Sequence, residues 1–126
     1  MALENIANED LTLAHGTGSP ISGGTFTVTS VPSQKVKALD KGVHKDPLQY
    51  TFTGGNASGF DSGSIATIVP QTINATATKV KAENQLVMRE GDFGTMQAQG
   101  TVGGVPTPIA GPVEISDAGQ DKVKGQ

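Results

Sequence analysis

Only a few residues in this chain of 126 carry side chains suited to catalysis or metal binding. His15 and His44 are its two histidines, and there is no cysteine to join them. Either histidine could serve a Ser-His-Asp arrangement, but no motif sets a serine beside one. The G-x-S-x-G elbow, the H-E-x-x-H helix and the G-x-x-x-x-G-K-[ST] phosphate loop are all absent. Two histidines also fall short of a closed four-ligand zinc site unless Asp46 or Asp92 completes it. They read as loop histidines. Glu90 and Asp92 flank Gly91 in Met88-Arg89-Glu90-Gly91-Asp92, and neighbouring carboxylates of split pKa can do acid–base work. A tight turn in which the Asp92 side chain accepts nearby backbone N–H groups is the simpler use of Arg89, Gly91 and Asp92. The glycine-rich run Gly54–Asp61 departs by two residues from a calcium-binding turn and reads as a hairpin loop. We therefore expect no catalytic residue, no metal and no cofactor, and a protein that is not an enzyme.

The cations are more orderly. Six of the eight lysines stand in three copies of Lys-Val-Lys: Lys35-Val36-Lys37, Lys79-Val80-Lys81 and Lys122-Val123-Lys124, 44 and 43 residues apart. A fixed period of this length signals a repeated supersecondary unit. In a pleated strand the central valine faces the core and both lysines face outward. Three units about a pseudo-threefold axis would gather Val36, Val80 and Val123 inside. Lys35, Lys37, Lys79, Lys81, Lys122 and Lys124 would then be spokes, and are candidates for a partner interface. Such a monomer suits the axis of a trimer, each third meeting one protomer. Alternatively the lysines only solvate strand edges against aggregation.

The elements that must position these residues are strands. Phe26 and Val28 alternate with Thr25, Thr27 and Thr29; Tyr50 and Phe52 alternate with Gln49, Thr51 and Thr53; Val113 and Ile115 flank Glu114. Turn chemistry separates them at 16–20, 54–59, Gly103-Gly104 and Pro106-Thr107-Pro108. The expected fold is all-β: a small cone of short strands and hairpins with an internal pseudo-threefold repeat. Residues 1–12, with Leu3, Ile6 and Ala7 at helical spacing, read as a helix-like or flexible arm, and 13–126 as the single β domain. Nine Lys and Arg against twelve Asp and Glu leave a net charge of −3, with no basic excess for nucleic acid. No apolar run approaches the roughly 18 residues of a membrane span. The polar start lacks signal-peptide character, so the expected site of synthesis is the cytoplasm.

The stretch Ala77–Asp92 resembles the signature of PAAR-repeat proteins, T-x-V-x-V-x-G-x-P-x-x-R-x-G-D. Val80, Arg89, Gly91 and Asp92 fall on that pattern, Asn84 stands at its glycine turn and Val87 lies beside its small-residue slot. His15–Pro20 is similar to the glycine-rich turns of those proteins. Val36–Pro47 is similar to a degraded further copy, with Lys41-Gly42 at the turn and Asp46 near the final acid. The likeness covers most of the chain after about residue 12, with one copy well preserved. The family's tip usually holds zinc on histidines and a cysteine; without cysteine, that site is not carried over. The chain is closer to the looser PAAR-like set of contractile injection particles and phage tails. The resemblance implies a structural tip: one copy caps a trimeric β-helical spike of the baseplate, contacts the target envelope transiently and punctures the membrane, in some members with a cargo effector. It implies work at the tip of an extracellular or virion-like particle. The alternative is a self-trimerising β-structural decoration or surface protein; a small hydrolase or toxin domain would need His15 or His44.

Overall fold

The computed structural model describes residues 4–125. Threonine, valine and isoleucine between glycine-rich turns give strands throughout, and the described residues contain no helix. The first six strands are β1 (Glu4–Asn5), β2 (Thr12–His15), β3 (Thr25–Val28), β4 (Lys37–Ala38), β5 (Lys41–Gly42) and β6 (Leu48–Thr53). The second six are β7 (Gln71–Ile73), β8 (Lys81–Ala82), β9 (Gln85–Leu86), β10 (Phe93–Val102), β11 (Val105–Asp117) and β12 (Lys124–Gly125). All pairings are antiparallel. Two three-stranded sheets, β3-β6-β7 and β10-β11-β2, form the body, and three two-stranded hairpins, β4-β5, β8-β9 and β1-β12, project from it.

The body owes its core to period-two patterning. Leu48, Tyr50 and Phe52 of β6 point inward, as do Met96 and Ala98 of β10 and Val113 and Ile115 of β11. The sheets meet where β7 runs beside β10. There the Gln97 N–H donates to Gln71 Oε1 at 3.0 Å, and a side chain at Gly94 would press on the Thr72 carbonyl at 3.1 Å. On the opposite side β2 and β3 share no backbone ladder; the ring of His15 fills that seam against Phe26 and Phe52, with centroids 5.0 and 5.1 Å away. A second, smaller core of Ile6, Ala38, Val43, Ala77, Ala82 and Val87 lies among the hairpins.

Three local expectations change. The opening segment is not an arm over its described part: β1 pairs with β12, and Ile6, Ala7 and Asn8 are buried. The apolar residues there serve two cores by strand alternation, which helical spacing does not separate. Pro106 and Pro108 do not make a turn but lie within β11. Prolines at 106, 108 and 112 occupy alternate positions, so their missing donors all fall on one edge, and β2 joins β11 only from Val113 onward. The turn near Lys41-Gly42 is Leu39-Asp40, with both residues at positive φ like Glu83-Asn84 in the second hairpin. Two such residues match the type I′ connection that fits the twist of paired strands.

Small residues let the hairpins approach the rest of the chain. A Cβ at Gly42 would strike the Ser33 carbonyl oxygen, and one at Gly125 the Val80 side chain. The Gly42 neighbour is backbone and cannot swing aside. Gly42→Ala should therefore destabilise the protein by about 1–3 kcal/mol in urea unfolding, as overpacking does, while Gly125→Ala, facing a movable side chain, should cost less.

Candidate functional site

The hairpin end is where the sequence motifs converge. Beyond each hairpin the chain returns through a short extended stretch, and these stretches join head to tail. The Ala7 N–H donates to the Met88 carbonyl at 2.8 Å, Met88 N–H to His44 at 2.9 Å, and His44 N–H to Ala7 at 3.0 Å. Bridges Ile6↔Arg89, Lys45↔Val87 and Asn8↔Val43 flank this ring. Outside it, each returning stretch bonds its own Lys-Val-Lys segment: Ile6 N–H to Val123 at 2.9 Å, Val43 to Val36 at 3.0 Å and Val87 to Val80 at 3.1 Å. Ile6, Val43 and Val87 fill the small core; Ala7 and Met88, one residue on, enter the large one.

The valines expected at the centre are therefore not its core. Val36 is 38% exposed, and Val80 and Val123 are half-buried and pack from the periphery. Only the second lysine of each motif lies in a strand, so the valine is not set by a continuous pleat. Lys35, Lys37, Lys79, Lys81, Lys122 and Lys124 are all exposed. Among the described residues the ion pairs are Lys41–Asp10 at 3.5 Å and Lys45–Glu83 at 3.3 Å, and neither uses those six.

Arg89, Gly91 and Asp92 form a joint between hairpin and body. Gly91 takes φ 91°, and Asp92 Oδ2 accepts the Arg89 N–H at 2.8 Å. Asp92 Oδ1 accepts the Thr76 hydroxyl, which in turn accepts from Arg89 Nη2 at 2.9 Å. Arg89 Nη1 reaches the Gly125 carbonyl at 3.2 Å, and the Asp92 carbonyl accepts the Ile115 N–H at 2.9 Å. Burial raises the Asp92 pKa, while the Thr76 and Arg89 bonds oppose the shift. Glu90 does not share a site with Asp92: its Oε1 accepts from Ala118 N–H at 3.2 Å and from Asn5 Nδ2 at 3.4 Å.

The histidines do not converge either. His15 Nε2 lies 2.8 Å from the Gly23 carbonyl in the β2–β3 seam, whereas His44 sits in the ring, where Ala7 and Met88 take the other two places. Those residues do not fit a histidine-ligated metal, and no group of three or more metal-binding side chains occurs among the described residues. Two positions that carry much of the bonding belong to none of the motifs read from the sequence. Gln120, two residues before the third Lys-Val-Lys, caps its turn by accepting the Lys122 and Val123 N–H groups at 2.8 and 2.7 Å. Ser33 caps the first copy in the same place, accepting the Lys35 and Val36 N–H groups at 3.2 and 3.0 Å. A polar residue two before the motif was the available signal; Ala77 lacks it in the second copy.

Comparison with protein-family models, curated proteins and solved structures found no match.

His44 is 3% exposed, and its Nδ1 has no hydrogen-bond partner. Burial lowers its pKa below the ordinary 6.5, against a smaller opposing pull from Glu9. The unfolded chain thus takes up a proton that the folded chain resists, and stability falls as pH drops through 6.5 toward the lower folded value. Asp92 works in the opposite sense nearer the carboxylate range, since its raised pKa favours the folded state on acidification. Urea midpoints should therefore decline as pH is lowered from about 7.5 to 5.5. His44→Met, which copies the Met88 place, should flatten that slope; an unchanged slope in the variant would assign it elsewhere.

Proposed function

We propose that this chain is a structural cap seated on the axis of a trimeric β-helical spike, one copy per trimer, at the tip of a contractile injection particle. The observation that carries the reading is the closed ring through Ala7, Met88 and His44, with one hairpin outside each member. Three segments donating in one rotational sense are the arrangement expected of quasi-equivalent units about an axis, and quasi-equivalent thirds let one chain meet three identical protomers. The body follows the same scheme: each hairpin is entered and left by neighbouring strands, β3 and β6, β7 and β10, β11 and β2. Work at an extracellular or virion-like particle tip, after synthesis in the cytoplasm, belongs to this reading.

Charge distribution favours one end as the base. All nine cationic residues lie within 33–46, 77–92 and 120–126, the hairpin segments. Away from them, loops 16–24 and 54–66 and the β10–β11 turn contain one charged residue, Asp61. Its carboxylate is occupied within the turn, accepting from the Thr101 hydroxyl at 2.6 Å and from Gly104 and Gly103 N–H at 2.9 and 3.1 Å. Exposed Val102, Val105, Ile68 and Val69 stand on this side of the molecule. Uncharged, partly apolar surface is cheap to desolvate against a partner. The lysines then face solvent and keep the two-residue strands of the hairpins from pairing with foreign edges.

Co-expression with a cognate spike and mass determination of the purified complex tests the reading. Three spike chains to one of this chain is expected. A one-to-one ratio, or a homotrimer that ignores the spike, would overturn it in favour of a self-trimerising decoration protein. Ile68→Lys with Val105→Lys should weaken the complex at least about tenfold by burying charge at the base, whereas serine at Lys37, Lys81 and Lys124 should leave it intact.

A further inference from the structure

The third hairpin is unlike the other two in one respect. Ala38 faces Lys41 and Ala82 faces Gln85 across two-residue turns, but Gly125 faces Glu4, which lies at the other end of the sequence. Its strands have no short covalent link, and among the described residues their ladder has two register pairs, Glu4↔Gly125 and Asn5↔Lys124. Side chains supply the remainder. Gln120 is 8% exposed and uses its entire carboxamide: Nε2 donates to the carbonyls of Ile6 and Val123, both at 2.7 Å, while Oε1 accepts from Lys122 and Val123 N–H. The Ile6 carbonyl corresponds to that of Val43 in the first hairpin, which accepts the backbone N–H of Ser33 at 2.7 Å. One side chain therefore grips both halves of a hairpin that has no turn. Arg89 adds its bond to Gly125, and Ile6 N–H its bond to Val123.

We propose that the β1–β12 hairpin is a non-covalent latch with Gln120 as its clasp, and that it opens by itself while the six-stranded body stays folded. Several bonds hold it to its neighbours, but it has the smallest entropic protection of the three hairpins. With the body folded, its halves are tethered no nearer than the Thr12–Asp117 pair of the β2–β11 ladder, so re-closing them orders a longer loop than a two-residue turn does. Opening breaks the Ala7 links of the ring and exposes Ile6 and Val123. It leaves the ladders β3-β6-β7 and β10-β11-β2 untouched, which makes it a local event of the kind native proteins draw from their least stable units. The inference uses the likeness of the three hairpins invoked above but requires no partner, so it can fail while the cap reading stands.

Native-state amide exchange of the whole chain tests it. In the unmodified protein the amides of Ile6 and Val123 should exchange faster than those of their counterparts Val43 and Val87, and all four faster than Phe52 and Ala98. Gln120→Ala should speed exchange at Ile6 at least about tenfold, from the loss of its buried bonds, and leave Phe52 and Ala98 unchanged. Circularising that variant, with Gly125 joined to Glu4 through Asn-Gly, should restore protection. Equal protection in all three hairpins of the unmodified protein would overturn the latch, and that measurement stands even if the variant does not fold. Exchange that rises together at Ile6, Phe52 and Ala98 would overturn it too, making Gln120 a residue of global stability.

Discussion

Three backbone hydrogen bonds, among residues almost wholly shielded from water, hold the centre of this molecule. Ala7, His44 and Met88 are at most 3% exposed, and a buried peptide group without a partner costs as much as a lost hydrogen bond. Each of the three satisfies the next, so a segment that leaves hands its neighbours' peptide groups to water. The ring also fixes what the flanking side chains must be. In extended backbone successive residues point to opposite faces, so Ile6, Val43 and Val87 are committed to the small core. Ala7 and Met88 are committed to the large one. His44, buried in the same row with an unpaired Nδ1, is the polar exception, and its pKa is displaced accordingly.

Around this centre the chain separates its tasks by position. Short hairpins carry the cations, with small residues or glycine where they press against the rest of the chain. The body carries the aromatic and branched residues of the main core, and its surface is threonine, glutamine, glycine and proline. The Arg89–Thr76–Asp92 joint ties the two together, since Arg89 reaches the last strand and Asp92 the long strand β11. A molecule so divided has one charged end and one nearly uncharged end. That division, more than any cluster of reactive groups, gives the cap reading its physical content.

The expected glycine-rich breaks at 16–20, 54–59 and 103–104 lie outside strands, and the alternation at 25–28 and 49–53 falls in β3 and β6. Local rules reached those because a strand facing a core on one side writes its pattern into adjacent residues. Pro106 and Pro108 were misread for an equally local reason: proline ends most strands, and only knowledge of which edge of β11 is unpaired shows why it continues here. Gln120 left no signature beyond its place before Lys122, because its role is to bond the carbonyl of Ile6, 114 residues away.

Composition and spacing by themselves determined an all-β chain with its lysines kept at the surface in three regular places. These properties depend on residue type and short-range periodicity, which a linear chain displays openly. Only the tertiary structure decided that Ile6, Val43 and Val87, rather than the valines of Lys-Val-Lys, form the inner core. It also decided that the first described residues complete the last hairpin, and that the ring closes through Ala7. Those outcomes rest on hydrogen bonds between peptide groups distant in sequence, and every residue but proline offers the same donor and acceptor. The backbone atoms that join the three segments are chemically identical along the chain, so only folding selects which of them meet.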